Sequence, residues 1–392
     1  MARSFLITVS GPERPGLGAR ILEVLGALEE HGASLLDVAQ ISVRGHVVLC
    51  AELSLERPDA RDLLHQSLAG EELETLGASV RVEAVTDAGA PRSERLQVTL
   101  LGPRIRASDL ARVVSTLGSA GAICERVTHL GSSPVDCYEL EVRGGESGGL
   151  RAALGEATGE LGLDVAGQRA GLHRRGTHLV VMDADSTLLQ DEVIDLLAAA
   201  GGRDEEVSAI TAAAMAGELD FAESLRRRVG LLAGLEASVL DDVRARLRLT
   251  PGARTLLRTL HRLGHASAVV SGGFVEVLAP LLAELNVRYL AANHLEIVDG
   301  RLTGALVGPI VDRAGKAAAL RRFAAEAGVG LEQTVAVGDG ANDIDMITAA
   351  GLGIAFNAKA ALREAADVSL SVPYLDSVLF FLGISRDEVE AD

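Results

Sequence analysis

The chain has 392 residues, room for two to four domains, and with 48% apolar against 23% charged residues it has ample material for packed cores. Lys and Arg total 37 against 55 Asp and Glu, so the net charge is −18 and the basic footprint of a nucleic-acid binder is missing. Aromatics are only 3% and Trp is absent, so the cores must be built from Leu, Val, Ile and Ala.

The opening MARSFLITVSGPERPGL has too short an apolar run for a signal peptide. No stretch of roughly 18 uncharged apolar residues occurs, so no membrane span is expected. Residues 5–10 alternate as a strand, GPERPG is turn chemistry, and Leu17, Ile21, Leu22, Leu25 and Leu28 recur at helical spacing through Glu30. ASLLDVAQISVRGHVVLCAELSL reads as two strands hinged on Arg44-Gly45. A helix over 59–76 and a strand over 78–85 complete a β-α-β-β-α-β order. LQVTLLGP at 96–103 then parallels LITVSGP at 6–12. A helix at 108–118, strands near 123–129 and 136–143, and a helix around 147–160 follow it. A repeat of about ninety residues predicts two copies of one small α+β sandwich, over 1–88 and 94–168. Cys50, Cys124 and Cys137 lie in these repeats without metal or redox spacing. They read as reduced thiols of a cytoplasmic protein, most simply small core residues.

GQRAGLHRRG (167–176) reads as a linker, and from 177 to 392 the texture changes. Short apolar runs alternate with helices: HLVVMD, HASAVVSGG, TVAVGDG and LGIAFN. Such runs predict a parallel sheet buried on both faces. Each ends in Gly, Ser, Asp or Asn, at the carboxyl end of a strand, where open α/β sheets bind ligands. An insertion at about 196–250, rich in Ala, Leu, Glu and Arg, predicts several helices that close over one strand end as a lid.

Four signals could carry chemistry. Asp183 and Asp185 follow the first apolar run. Carboxylates there serve as metal ligand, nucleophile or acid–base group, or simply as a turn or helix cap. The Ser-Thr pair after them helps the turn and is expected to cap the next helix. AVGDGANDIDM adds Asp339, Asn342 and Asp343 at a second strand end, hard oxygen ligands suited to Mg²⁺, though GDG is also common turn chemistry. VVSGGF offers the Ser271 hydroxyl and backbone N–H groups to an anion. Lys316 opens an apolar helix, where a lysine is usually just solvated. A divalent cation and a phosphoryl group together would need all four.

These motifs, DADST, SGG, Lys316 and GDGANDIDM, occur in the order of the haloacid dehalogenase superfamily of phosphotransferases, which residues 177–385 resemble. More narrowly, they resemble its phosphoserine phosphatases. The resemblance implies a Rossmann-like parallel-sheet core with a helical cap. It also implies that Asp183 is the nucleophile and forms an aspartyl-phosphate. Asp185 would be the acid and then the base. Mg²⁺ would be held by the Asp183 carboxylate, the Asp185 carbonyl and Asp339. Ser271, Gly272, Lys316 and Asn342 would bind phosphate, with Asp343 behind them. For the serine moiety, Glu192 matches an ammonium partner, Arg228 a carboxylate clamp, and Met215 and Phe221 apolar cap residues. Opposite charges in a closed pocket suit a zwitterion, and Arg clamps a carboxylate through two hydrogen bonds.

The two N-terminal repeats resemble ACT domains, regulatory modules that bind amino acids at paired interfaces. In the first, Gly11, Gly16 and Gly18 would let the backbone approach an effector such as serine, and Asp37, read as the start of the second strand, would hold its amino group. The second reads GPRIRASDLARV, lacking the Pro-Gly pair and carrying Ser108 near the place of a glycine. Both repeats serving only to form a homodimer is the simpler alternative.

Overall fold

The computed structural model describes residues 3–15, 17–68, 77–85, 95–145, 147–171, 174, 176, 178–215 and 218–391. They form two compact units, Met1–Arg92 and Ser93–Asp392. In the first, β1 (Arg3–Pro12), β2 (Ala33–Val43), β3 (His46–Leu55) and β4 (Ser79–Val85) make an antiparallel sheet of order β2-β3-β1-β4. Alternate residues Phe5, Ile7 and Val9 of β1 are buried against Leu17, Ile21 and Leu25 of helix Leu17–Ala27 and Leu64 of helix Ala60–Leu68. Arg44 and Gly45 both take positive φ, 46° and 82°, the two-residue turn whose twist suits a hairpin.

The second unit starts with the same plan. β5 (Arg95–Gly102), β6 (Ala122–Gly131), β7 (Asp136–Gly144) and β8 (Asp164–Arg169) take the order β6-β7-β5-β8. The internal repeat is therefore a repeat of topology. β8 corrects the reading of 167–176 as linker, because Gly167 to Arg169 pair with Val98 to Leu96. DVAGQR carries little apolar signal, and its Gly and Gln resemble turn chemistry; only pairing with β5 makes it an edge strand.

The seven-stranded sheet beyond it comprises β9 (Leu179–Met182), β10 (Ala266–Phe274), β11 (Tyr289–Val298), β12 (Arg301–Val307), β13 (Thr334–Gly338), β14 (Leu352–Phe356) and β15 (Val368–Leu370). Its order is β12-β11-β10-β9-β13-β14-β15, parallel except for β11 with β12. Every residue of β9, β13 and β14 is buried, as expected for strands covered on both faces. β9 lies at the centre, with the next strand in sequence, β10, on one side and the later β13 on the other. That reversal opens a crevice at the carboxyl ends.

The 196–250 insertion folds mainly as helices Asp204–Met215, Phe221–Gly230 and Val239–Arg246, after helix Val193–Ala200. Its two connections to the sheet bond to each other: Gln190 N–H donates to Arg248 O (2.9 Å) and Thr250 N–H to Leu188 O (2.9 Å). The β11–β12 hairpin, which the apolar runs did not predict, fastens the far side of the insertion through Gly234 N–H to Leu302 O (2.8 Å) and Leu302 N–H to Leu235 O (2.9 Å). β8 meets the rim of the large sheet, where the Asp164 carboxylate accepts from Ser371 N–H (2.7 Å) and Oγ (2.9 Å). Among the described residues, no helix is long and apolar enough to cross a membrane.

Candidate active site

The chain leaves β9 through a wide turn over residues 184–188, in which Leu188 N–H donates to Asp183 O (3.2 Å) and Leu189 N–H to Ala184 O (2.8 Å). Ser186 sits at φ 55°, a left-handed conformation that costs a non-glycine residue about 1–2 kcal/mol. The turn brings Asp183 and Asp185 towards one crevice. The Asp183 Oδ1 accepts from Ala184 N–H (2.7 Å), and Asp185 Oδ1 from Val193 N–H (3.0 Å) at the start of the next helix. The Ser-Thr pair does not cap that helix: Glu192 occupies the N-cap position, and Ser186 Oγ instead donates to Glu192 Oε1 (2.9 Å).

Lys316 is fully buried, against the usual habit of lysine. Asp312 caps its helix, Arg313–Ala327, by accepting from Gly315 N–H (2.8 Å). One turn in, the Lys316 Nζ lies 2.5 Å from Asp183 Oδ2 and 2.7 Å from Asp343 Oδ1. Burial works against its ammonium, but the Asp183 and Asp343 charges outweigh this and raise its pKa. The second Asp343 oxygen accepts from Asp339 and Gly340 N–H (3.2 and 3.1 Å). Asp343 is thus spent on holding the lysine and the strand end. The Asp339 carboxylate accepts no hydrogen bond from a described residue. Burial, with Asp343 and Glu192 nearby, pushes its pKa up to about 6. Burial and the Glu192 charge push Asp185 up to about 7, and burial and the Asp343 charge push Asp183 well above the usual carboxylate range.

Carboxylate oxygens of Asp183, Asp339 and Asp343 lie within 4.8 Å of one another. One buried ammonium faces Asp183, Asp185, Asp339 and Asp343. The excess of negative charge, all on hard oxygens, fits a divalent cation such as Mg²⁺.

Ser271 is fully buried at the end of β10, and its Oγ accepts from Gly273 N–H (2.8 Å). A Cβ at Gly273 would lie 3.0 Å from that Oγ and 3.3 Å from Asp185 Oδ2, so the glycine lets serine and aspartate share the crevice. Asn342 reaches Asp183 Oδ2 at 3.5 Å. From the insertion, the ring of Phe221 closes over Gly272, where a Cβ would lie 3.1 Å from its Cζ. Of the run Arg226-Arg227-Arg228, the first two are exposed and only Arg228 turns inward. Its Nε is buried without a hydrogen-bond partner among the described residues, and burial lowers its pKa despite Asp195, Glu192 and Asp185 nearby. Glu192 stands exposed at the rim. The side chain of Met215 lies outside the described residues.

The suggested effector residues have other neighbours. A Cβ at Gly11 would lie 3.0 Å from Ala78 Cα, a close backbone approach, while one at Gly18 would meet only the movable end of the Gln40 side chain. Asp37 sits well inside β2, which begins at Ala33, and its Oδ1 accepts from Val38 N–H (2.8 Å). Gly16 lies outside the described residues. Two further groups near the crevice were not predicted. Asp191 binds Arg248 where the insertion's connections meet (2.6 Å), and Asn293 is buried in β11. The signal for Asn293 was present, as an amide inside the apolar run YLAANHL.

Residues 180–348 match the family of haloacid dehalogenase-like hydrolases, and residues 3–83 and 96–168 each match the ACT domain. A phosphoserine phosphatase of Streptomyces coelicolor is 50% identical over 99% of this chain and 94% of its own length. Phosphoserine phosphatase SerB2 of Mycobacterium tuberculosis is also 50% identical, over 99% of this chain and 95% of its own. A solved structure described as a phospho-aspartyl intermediate analogue of phosphoserine phosphatase is 41% identical. It covers 52% of this chain and 98% of that one, with a TM-score of 0.50.

Proposed function

The chain belongs to the phosphoserine phosphatases, haloacid dehalogenase-like hydrolases that here carry two ACT domains, and on that footing we propose how its residues divide the reaction. The substrate is O-phospho-L-serine, and the products are L-serine and phosphate, as in the last step of serine biosynthesis. An Asp183 oxygen attacks phosphorus, the bond from phosphorus to the serine oxygen breaks, and Asp185 gives its proton to that oxygen. Asp185 then takes a proton from water, the water oxygen attacks phosphorus, and the bond to Asp183 breaks, which restores both carboxyl groups.

The observation that carries this division is the unequal environment of two carboxyls in one crevice. Both carboxyls are raised by burial, but only Asp183 touches the Lys316 ammonium, at 2.5 Å, a contact that works against that rise and favours the anion a nucleophile needs. Asp185 lacks such a contact among the described residues and is pushed up to about 7, first by burial and then by Glu192, so it can hold a proton near neutral pH. A related phosphoserine phosphatase is described as a phospho-aspartyl intermediate analogue, the kind of adduct a carboxylate nucleophile forms. Mg²⁺ held by Asp183, Asp339 and the Asp185 carbonyl would offset the excess negative charge and draw charge from the phosphoryl group. Ser271, Gly272, Lys316 and Asn342 bind the phosphate, and Asp343 keeps Lys316 in place. Glu192 takes the ammonium and Arg228 the carboxylate of the serine moiety, while Met215 and Phe221 shut out water. The ACT domains, over 1–88 and 94–168, form a homodimer and bind an amino acid such as serine that controls the domain over 177–392. Asp164 of β8, bonded to Ser371 beside the large sheet, offers a physical link for that control.

The test is phosphate release from phosphoserine, phosphothreonine and an aryl phosphate, with Mg²⁺ or with EDTA. Turnover should favour phosphoserine and vanish with EDTA. Turnover of the aryl phosphate alone would discard the substrate while keeping the chemistry. Arg228→Ala separates the two further. Losing a charge-assisted pair worth about 1.5–3 kcal/mol should raise KM for phosphoserine about 10-fold to 100-fold and leave aryl phosphate hydrolysis little changed. Equal losses on both substrates would rule out the carboxylate clamp.

A further inference from the structure

We infer that Asn293 is a positioning residue that sets the phosphate-binding end of β10 and ties it to the approach of Lys316. Residues 271–273 fall outside both ladders of their own strand. β10 pairs with β9 only as far as Val269, and its register with β11 jumps from Val270 to Phe274. Their backbone groups therefore need other partners. Asn293, on β11 and 1% exposed, supplies one: its Nδ2 donates to Gly272 O at 2.8 Å. The peptide between Gly272 and Gly273 is then held from both sides, since its N–H donates to Ser271 Oγ. Because that oxygen accepts from Gly273, the Ser271 hydroxyl hydrogen remains to be donated to a phosphate oxygen. Turning this peptide over would withdraw the N–H from Ser271 and free the hydroxyl to rotate.

The other end of the same amide works on a second element. Asn293 Oδ1 accepts from Val311 N–H at 2.8 Å. Val311 directly precedes Asp312, the cap of the helix that carries Lys316. One buried side chain thus spaces the serine hydroxyl against the lysine ammonium, two groups that must meet the same phosphoryl group. An apolar residue of similar size would fill the volume but hold neither peptide. The inference rests on the assignment of Ser271 and Lys316 to phosphate.

The test is a double-mutant cycle in the full chain with Asn293→Leu and Ser271→Ala, read with inorganic phosphate as inhibitor. Asn293→Leu should lower kcat/KM about 10-fold to 100-fold, the scale of a small misplacement of reacting groups. The loss should be equal for phosphoserine and aryl phosphate. Inhibition by inorganic phosphate should weaken, and inhibition by L-serine should not. In the Ser271→Ala background the same change should cost clearly less. Asn293→Asp, which keeps the acceptor for Val311 and loses the donor to Gly272, should reproduce the effect if the leucine variant folds poorly. Additive losses, or phosphate inhibition unchanged in a folded Asn293 variant, would overturn the inference. Unchanged phosphate inhibition in Ser271→Ala would instead overturn the phosphate assignment on which it rests.

Discussion

Asp183→Asn is expected to abolish turnover of phosphoserine and aryl phosphate alike, by a factor on the order of 10⁴–10⁶, the usual scale for removing a nucleophile. Asn has nearly the same shape, and its one oxygen can still accept from the Lys316 ammonium or from Ala184 N–H, donors that Asp183 receives on separate oxygens at 2.5 and 2.7 Å. What it lacks is the negative charge and free electron pair that attack phosphorus. The loss should therefore appear in kcat while phosphoserine still binds, which calorimetry or a thermal shift with substrate would register. A residual rate above about 1% of wild type would be too high for a missing nucleophile and would reassign the attack to water. Asp185→Asn should behave differently. Asp183 would remain competent for the first step, so the penalty should be smaller for an aryl phosphate, whose leaving group needs no proton, than for phosphoserine.

Lys316→Met is expected to cost both stability and activity. The ammonium is fully buried between Asp183 and Asp343, and its removal leaves two buried carboxylates with nothing to balance them. Breaking a buried pair in this way destabilises by about 3–5 kcal/mol. In a unit of this size that lowers the melting temperature by roughly 10 °C. Asp343→Asn added to Lys316→Met should recover much of the stability and none of the turnover, because it removes one stranded charge without restoring a cation for the phosphate. The pH dependence of Lys316→Met has a definite sign. The Asp183 carboxyl already lies above its unfolded value through burial and the Asp343 charge, and losing the ammonium removes the contact that opposes this rise. The folded state then binds more protons in between, and stability falls as pH rises through that window. A melting temperature independent of pH and equal to wild type would show that the pocket is wet and the pair weak. Lys316→Arg should not rescue, since a planar guanidinium does not fit a slot shaped for a point charge.

The parts of this fold that were legible are those with a strong local period. The apolar runs that became β9, β10, β13 and β14 are buried on both faces, so nearly every position must be apolar and the run stands out. The β-α-β-β-α-β order of the first repeat was visible because β1, β3 and both helices each keep one buried face. β8 and the β11–β12 hairpin escaped notice. The first is a short edge strand held by pairing, and the second interrupts the parallel pattern with residues that alternate weakly. The ACT resemblance sets Asp37 at the start of the second strand, whereas β2 begins at Ala33, its one buried residue, and runs exposed from there, so no apolar alternation marks its course.

By itself, the sequence determined the chemistry on offer: two aspartates after one strand, Ser-Gly-Gly after another, GDG with Asn342 and Asp343 after a third, and a lysine on a helix between them. It could do so because such groups sit at strand ends, and strand ends are written locally in apolar runs and the glycines that stop them. The tertiary structure alone decided how those groups relate. It turned Arg228 inward while Arg226 and Arg227 stayed in water. It also buried Lys316 between two carboxylates, set Ser186 against Glu192 rather than at a helix cap, and bridged β10 to the Lys316 helix through Asn293. Each of these depends on groups far apart in the chain and on which of them loses its water. Burial and charge balance are properties of the packed chain and cannot be read from any one stretch of it.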